Sequence, residues 1–142
     1  MTWNSYELDE KAQNLVLKYR DKEVLNESHK MRVTCAYGLE RFWGEHLRLI
    51  DKNNEDKFKG EFWLDTWKEL IEIMKVAGIE VPNEKIRHDG KKLQTEDIRK
   101  MSQKLWDRDN FPIEHQRVTI AVLTQFCDSL VWWTQRYKKS KD

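Results

Sequence analysis

From Val118 to Trp133 the chain is apolar almost all round, and it then turns basic at Arg136, Lys138, Lys139 and Lys141. Pro112 opens this stretch. A helix apolar on every face must be wrapped by other helices. The segment therefore predicts a helical bundle built around its C-terminal helix. One competing feature is local. Val118-Thr119-Ile120-Ala121-Val122 is rich in β-branched residues and has strand character. The continuation through Leu123, Phe126, Leu130, Trp133 and Tyr137 spaces by three and four, which favours helix.

The remaining chain reads as further helices. Leu8, Ala12, Leu15, Val16 and Tyr19 form one helical stripe, with Asn4 and Glu7 as a capping box. A second, long helix starts near Asn26 or Ser28, either of which can cap it. Its stripe is Met31, Cys35, Gly38, Leu39, Phe42, His46, Leu49 and Ile50, broadened by Val33, Tyr37, Trp43 and Leu47. The polar run Asp51 to Asp56 reads as a loop. A third helix is expected from about Gly60 to Ala77, stopped by Gly78, with Trp63, Trp67, Leu70, Ile71 and Met74 inward. A basic connector, Glu84 to Leu93, turns at Asp89-Gly90. Thr95 caps a short helix carrying Ile98, Met101 and Leu105. Pro112 then takes the first position of the last helix, which runs to about Tyr137. The fold class expected is all-α: a single-domain bundle of about five helices over residues 1–142, with a buried C-terminal helix.

A chain of 142 residues suits one domain that folds without staples. Its hydrophobic share of 39% is modest, but seven Trp, five Phe and four Tyr add large buried areas. No apolar run approaches the roughly 18 residues of a membrane span. Met1 to Glu10 is polar and acidic, without a signal core. The two cysteines, Cys35 and Cys127, both lie in apolar helical patterns. Buried free thiols in a cytoplasmic protein are the stronger reading, and a disulfide between them the weaker one.

Catalytic and metal constellations are not visible. The four histidines, His29, His46, His88 and His115, form no helical metal-binding pair. The cysteines lack the close spacing of zinc sites. His46 falls on an apolar stripe and reads as a hydrogen-bonded core residue. Pairing it with Cys127 as base and nucleophile lacks a third group. Neither a Gly-rich phosphate loop nor a nucleophile elbow occurs. The expectation is a protein that is not an enzyme and has no cofactor.

Charge is distributed unevenly although the net value is only +1. Residues 51–83 carry a balance of −3 and residues 84–108 a balance of +3. Lys30 and Arg32 open the second helix, with Arg41 and Arg48 on its polar side. Arg99, Lys100, Lys104 and Arg108 line the short helix, and Arg117 and Arg136 flank the apolar part of the last one. Such groups neutralise phosphates without reading sequence. They serve equally as partners for the 25 acids of the chain. Trp63 and Trp67 read as core. Trp132 and Trp133 diverge by about 100° on a helix, so one of them faces a groove or a partner.

Two segments resemble the small subunit of type III CRISPR effector complexes. One is Ser28-His29-Lys30-Met31-Arg32, a basic entry into an apolar helix. The other runs from Leu123-Thr124-Gln125-Phe126-Cys127 through Leu130-Val131-Trp132-Trp133 to Arg136-Tyr137-Lys138. Size and helical character agree; the basic connector and the tryptophan load depart from the pattern. The resemblance implies a non-catalytic role in which copies stack along the complex and meet the guide and target RNA backbone. Lys30, Arg32, Arg117 and Arg136 would make those contacts, followed by Arg41 and Lys138. The other subunits of the complex and further copies of this chain are the implied partners, with no membrane. The bipolar charge would suit head-to-tail stacking. The alternative is a helical adaptor that binds another protein through an aromatic groove, without nucleic acid.

Overall fold

The computed structural model describes residues 5–50, 54–89 and 92–138, and side-chain surroundings for 7–50, 57–87 and 94–138. The elements are α1 (Ser5–Tyr19), α2 (Glu27–Thr34), α3 (Leu39–Ile50), α4 (Asn54–Val76), β1 (His88–Asp89), β2 (Lys92–Leu93), α5 (Thr95–Trp106) and α6 (Ile113–Tyr137). The fold is an all-α bundle of six helices among the described residues. Its buried apolar side chains form one cluster. The strands are a two-residue antiparallel pair in the connector, with His88 opposite Leu93. The expected cap at Asn4 and turn residue Gly90 lie outside the described residues.

The sixth helix arises because the second expected helix is broken. After α2 the chain tightens into a 3-10 turn, Cys35–Tyr37, and Gly38 follows at φ 106°, ψ 166°. Only glycine adopts such a backbone without strain. The apolar spacing continues across the break, so Met31, Cys35, Leu39, Phe42, His46 and Leu49 are all buried. Gly38 is thus the hinge between two helices and not a member of one stripe. Val33 and Tyr37, expected to broaden the stripe, face solvent at 63% and 61% exposure. Neither expected cap serves α2. Asn26 precedes it in helical conformation with no capping bond. Ser28 is buried, and its hydroxyl donates to Thr134 Oγ1 at 2.9 Å.

The α1 stripe is buried as expected. The helix ends in a 3-10 turn, Arg20–Lys22, stopped by Glu23 in the left-handed region. α4 begins at Asn54, inside the polar run expected to be a loop. Glu and Lys are good helix formers, and acids favour a helix N-terminus, so polarity alone did not mark a loop. Gly78 (φ 74°) closes α4 in a Schellman arrangement. The Gly78 and Ile79 amides donate to the Lys75 and Met74 carbonyls at 2.9 and 3.0 Å.

α3 and α4 pack as a tight helical hairpin. Phe42 meets the Trp63 ring at 4.9 Å and the Trp67 ring at 6.3 Å. Trp67 donates its indole N–H to the Pro82 carbonyl at 3.2 Å, tying the connector down. Arg87 continues that tie: its amide and Nε donate to Asp97 Oδ2, both at 2.9 Å, and Nη2 donates to Oδ1 at 3.1 Å. Gln94 takes the cap position of α5 without a side-chain bond, so Thr95 is the first helical residue and not the cap. Pro112, in extended conformation, stands one residue before α6.

Residues Val118 to Val122 are helical. Packing decides here, because β-branched side chains cost a helix only about 0.7 kcal/mol or less each. α6 buries Thr119, Val122, Leu123, Phe126, Cys127, Leu130 and Thr134 against α1, α2 and α4. Val118, Ala121, Gln125, Asp128 and Trp132 form the opposite, exposed stripe. The helix is therefore buried along one side, and its apolar outer residues remain at the surface.

Candidate nucleic-acid interface

α2 and α6 meet along a seam of matched pairs. Ser28 bonds to Thr134, Arg32 Nε donates to Asp128 Oδ1 at 2.5 Å, and the Cys35 and Cys127 sulfurs lie 3.7 Å apart. This order shows the two helices running antiparallel. The Thr134 hydroxyl also donates to the Leu25 carbonyl at 3.3 Å.

Lys30 and Arg32 occupy different edges of α2. Residues two apart on a helix diverge by about 160° by the shorter route. Lys30 stands by Glu27, at 3.2 Å, and the buried Glu27 carboxylate also accepts the Trp63 indole N–H at 3.1 Å. Arg32 faces α6, where Asp128 raises its pKa through their hydrogen bond. The two members of that pair are exposed, so it adds at most about 1 kcal/mol to stability.

The other predicted cations are dispersed. Arg41 lies 5.9 Å over the Tyr37 ring, beside a shallow hollow of about 430 Å³ shared with Thr34 and Glu45. Arg117, on the first turns of α6, stands 3.8 Å from Glu114. Arg136 is 19 residues further on, about 28 Å along the axis at 1.5 Å per residue. Arg117 and Arg136 therefore do not share one patch. Of the α5 cations, Arg99 pairs with Glu96 and Lys104 with Glu84.

The C-terminal end of α6 is where cations and aromatic rings gather. Trp132 is 48% exposed and its ring carries the Arg136 guanidinium at 3.7 Å. Arg136 Nη1 also donates to the Trp132 carbonyl at 3.2 Å. Trp133 turns inward and stacks on Tyr137 with an interplanar angle of 6°. Arg20 arrives from the end of α1. Its guanidinium lies 5.9 Å over the Tyr137 ring, and Nε donates to the Tyr137 carbonyl at 2.9 Å. The Lys138 amide closes α6 by donating to the Thr134 carbonyl at 2.8 Å, and its side chain is exposed. Arg20 was invisible as a site residue, because its partner is 117 positions away and no local pattern connects them.

His46 Nδ1 is 2.5 Å from the Trp43 carbonyl, and burial lowers the histidine pKa. Among the described residues no group of three or more His, Cys, Asp or Glu is arranged to hold a metal ion. A hollow of about 560 Å³ lies between the end of α4, the connector and α5, with Ile71, Val81 and Phe111 among its walls. Its two lysines, Lys75 and Lys104, are paired with Glu72 and Glu84. No helix among the described residues is long and apolar enough to cross a membrane. No family model matches the chain, and neither a curated protein nor a solved structure shows significant similarity to it.

Proposed function

We propose that the chain is a non-catalytic helical subunit of a ribonucleoprotein assembly of the type III CRISPR kind, meeting the backbone of a guide–target RNA duplex. The observation that carries this reading is the exposed Trp132–Arg136 stack, flanked by Arg20 and Lys138. A guanidinium already held over an indole presents positioned donors to phosphate and a π-face beside them. Arg32 extends the surface, since Asp128 precedes Arg136 by eight residues, about 12 Å along the helix. The resemblance at Ser28 to Arg32 and at Leu123 to Lys138 supports the same reading. The contrast between the acidic α4 region and the basic α5 region supports stacking of copies.

The test is retention of RNA by the chain within its native assembly. Arg20, Arg32, Arg136 and Lys138 are replaced together by Gln. Neutral replacements are chosen because a Glu at Arg32 would set like charges against Asp128. The expected result is weaker RNA retention for all sequences, with the slope of log affinity against log salt flattened by roughly 0.7 to 1 per lost contact. Unchanged retention in a folded variant overturns the reading.

The adaptor reading has one observation in its favour. Lys30, Arg32 and Arg117 each meet a carboxylate of their own chain. Trp, Tyr and Arg also dominate protein-binding hot spots. Co-purification of a protein partner without RNA, lost on Trp132→Ala, would establish it.

A further inference from the structure

The chain's two cysteines are 92 residues apart in sequence and adjacent in space. Both are buried and free, with their sulfurs 3.7 Å apart. Their surroundings are not purely apolar. The Cys35 thiol donates to the Met31 carbonyl at 3.3 Å, and Arg32 and Thr124 are its polar neighbours. Cys35 also opens the 3-10 turn that ends at Gly38. Short 3-10 segments have poorer hydrogen bonds than α-helix and shift more easily. A disulfide would require the sulfurs to close by about 1.7 Å, to the usual 2.03–2.05 Å.

We propose that Cys35 and Cys127 are a redox-active dithiol, oxidised by a hydroperoxide to an intramolecular disulfide and restored by thiol reductants. This inference is independent of the RNA reading. Cys35 is the attacking group. Its pKa is lowered by its hydrogen bond with Cys127, against the opposing effect of burial, with Thr124 and Arg32 assisting. Burial raises that of Cys127, so Cys127 remains a thiol. The thiolate is the nucleophile in such chemistry. Cys35 sulfur attacks the O–O bond of hydrogen peroxide, forming a sulfenic acid and releasing hydroxide, which takes up a proton as water. Cys127 sulfur then attacks the sulfenic sulfur. Its proton leaves with the departing hydroxyl as a second water. Two thiols lose two electrons, and one peroxide is reduced to two waters.

The product would fasten the turn between α2 and α3 onto α6, next to the Arg32–Asp128 pair along the seam. The link would also close a long loop in the unfolded chain, which restricts that state and favours the folded one.

The experiment treats the folded, reduced protein with hydrogen peroxide and follows intact mass and free thiols under denaturing, non-reducing conditions. The expected result is loss of two hydrogens, disappearance of both thiols in a monomer, and full reversal by dithiothreitol. Circular dichroism should keep its helical signal, and the melting temperature should rise by about 5 °C or more. In Cys127→Ser, dimedone should trap a sulfenic acid at Cys35; in Cys35→Ser it should trap little at Cys127. The wild-type measurement stands even if a variant fails to fold. Persistence of both thiols in the folded protein overturns the proposal. So does a disulfide that forms only in denaturant or only between two molecules.

Discussion

Gly60 of α4 presses against the backbone of Ile50 in α3. A Cβ added at Gly60 would stand 2.8 Å from the Ile50 amide nitrogen and 3.2 Å from the His46 carbonyl oxygen. Both are main-chain atoms, so a side-chain shift cannot relieve the clash. This contact sets how closely the α3–α4 hairpin closes over Phe42, Trp63 and Trp67. Gly60→Ala is expected to destabilise the fold by about 1–3 kcal/mol, the usual range for overpacking, despite alanine's better helix propensity. Gly44, in the middle of α3, has open space around its Cβ position. Gly44→Ala should therefore stabilise by roughly 0.5–1 kcal/mol. Urea denaturation of the two variants checks the pair. Equal signs would mean that α3 and α4 do not approach this closely.

Leu130 is fully buried on the inner side of α6, whereas Trp132, two residues on, is about half exposed. Leu130→Ala should cost about 2–5 kcal/mol, the range for deleting a buried large aliphatic. Trp132→Ala should cost no more than about 1 kcal/mol, chiefly the lost guanidinium stack. A loss below about 1 kcal/mol at Leu130 would place that face of α6 at the surface.

Glu27 is a buried carboxylate that accepts the Trp63 indole N–H and pairs with Lys30. Glu27→Ala strands the indole donor inside the core. The expected loss is about 1–3 kcal/mol. Lys30→Ala, by contrast, removes only the exposed half of the pair. It should be milder than Glu27→Ala when both are compared by thermal melting.

His46 makes stability depend on pH. Burial lowers its folded pKa below the ordinary histidine value of 6.5, against the raising effect of the Trp43 carbonyl, and Lys68 lowers it further. The unfolded chain therefore takes up the proton first as pH falls. The histidine's contribution is complete above pH 6.5 and declines as pH drops below that toward the folded pKa. Denaturation midpoints for wild type and His46→Gln between pH 8 and pH 5 test this. The variant should show the flatter fall in acid; parallel curves would count against a neutral buried His46.

The helical class and most of the core were legible in the chain. Spacing by three and four identifies the inward residues of α1, α4 and α5, because side chains on one helical face share one environment. Trp63, Trp67 and Leu130 are buried as that spacing requires. The same rule failed at Gly38. The apolar stripe runs unbroken through the hinge, since both helices bury the corresponding face, and hydrophobic spacing is blind to a φ of 106°. It failed again at Asn54, where polar residues belong to a helix start and not to a loop.

The candidate surface was legible only as a list of cations. Sequence placed Arg117 and Arg136 on one helix, and the geometry of that helix sets them far apart. It named Trp132 and Trp133 as a diverging pair, but docking chose which one faces out: Trp133 packs against the core and Trp132 stays 48% exposed. Arg20 reaches Tyr137, and Cys35 reaches Cys127, across most of the chain length. Periodicity is a property of neighbouring turns, so the sequence by itself determined the helical class and most of the inward residues, but neither the break at Gly38 nor the start of α4. The pairing of residues about a hundred positions apart depends on how those helices dock. Only the tertiary structure decided it, through the close approach of α1 and α2 to α6.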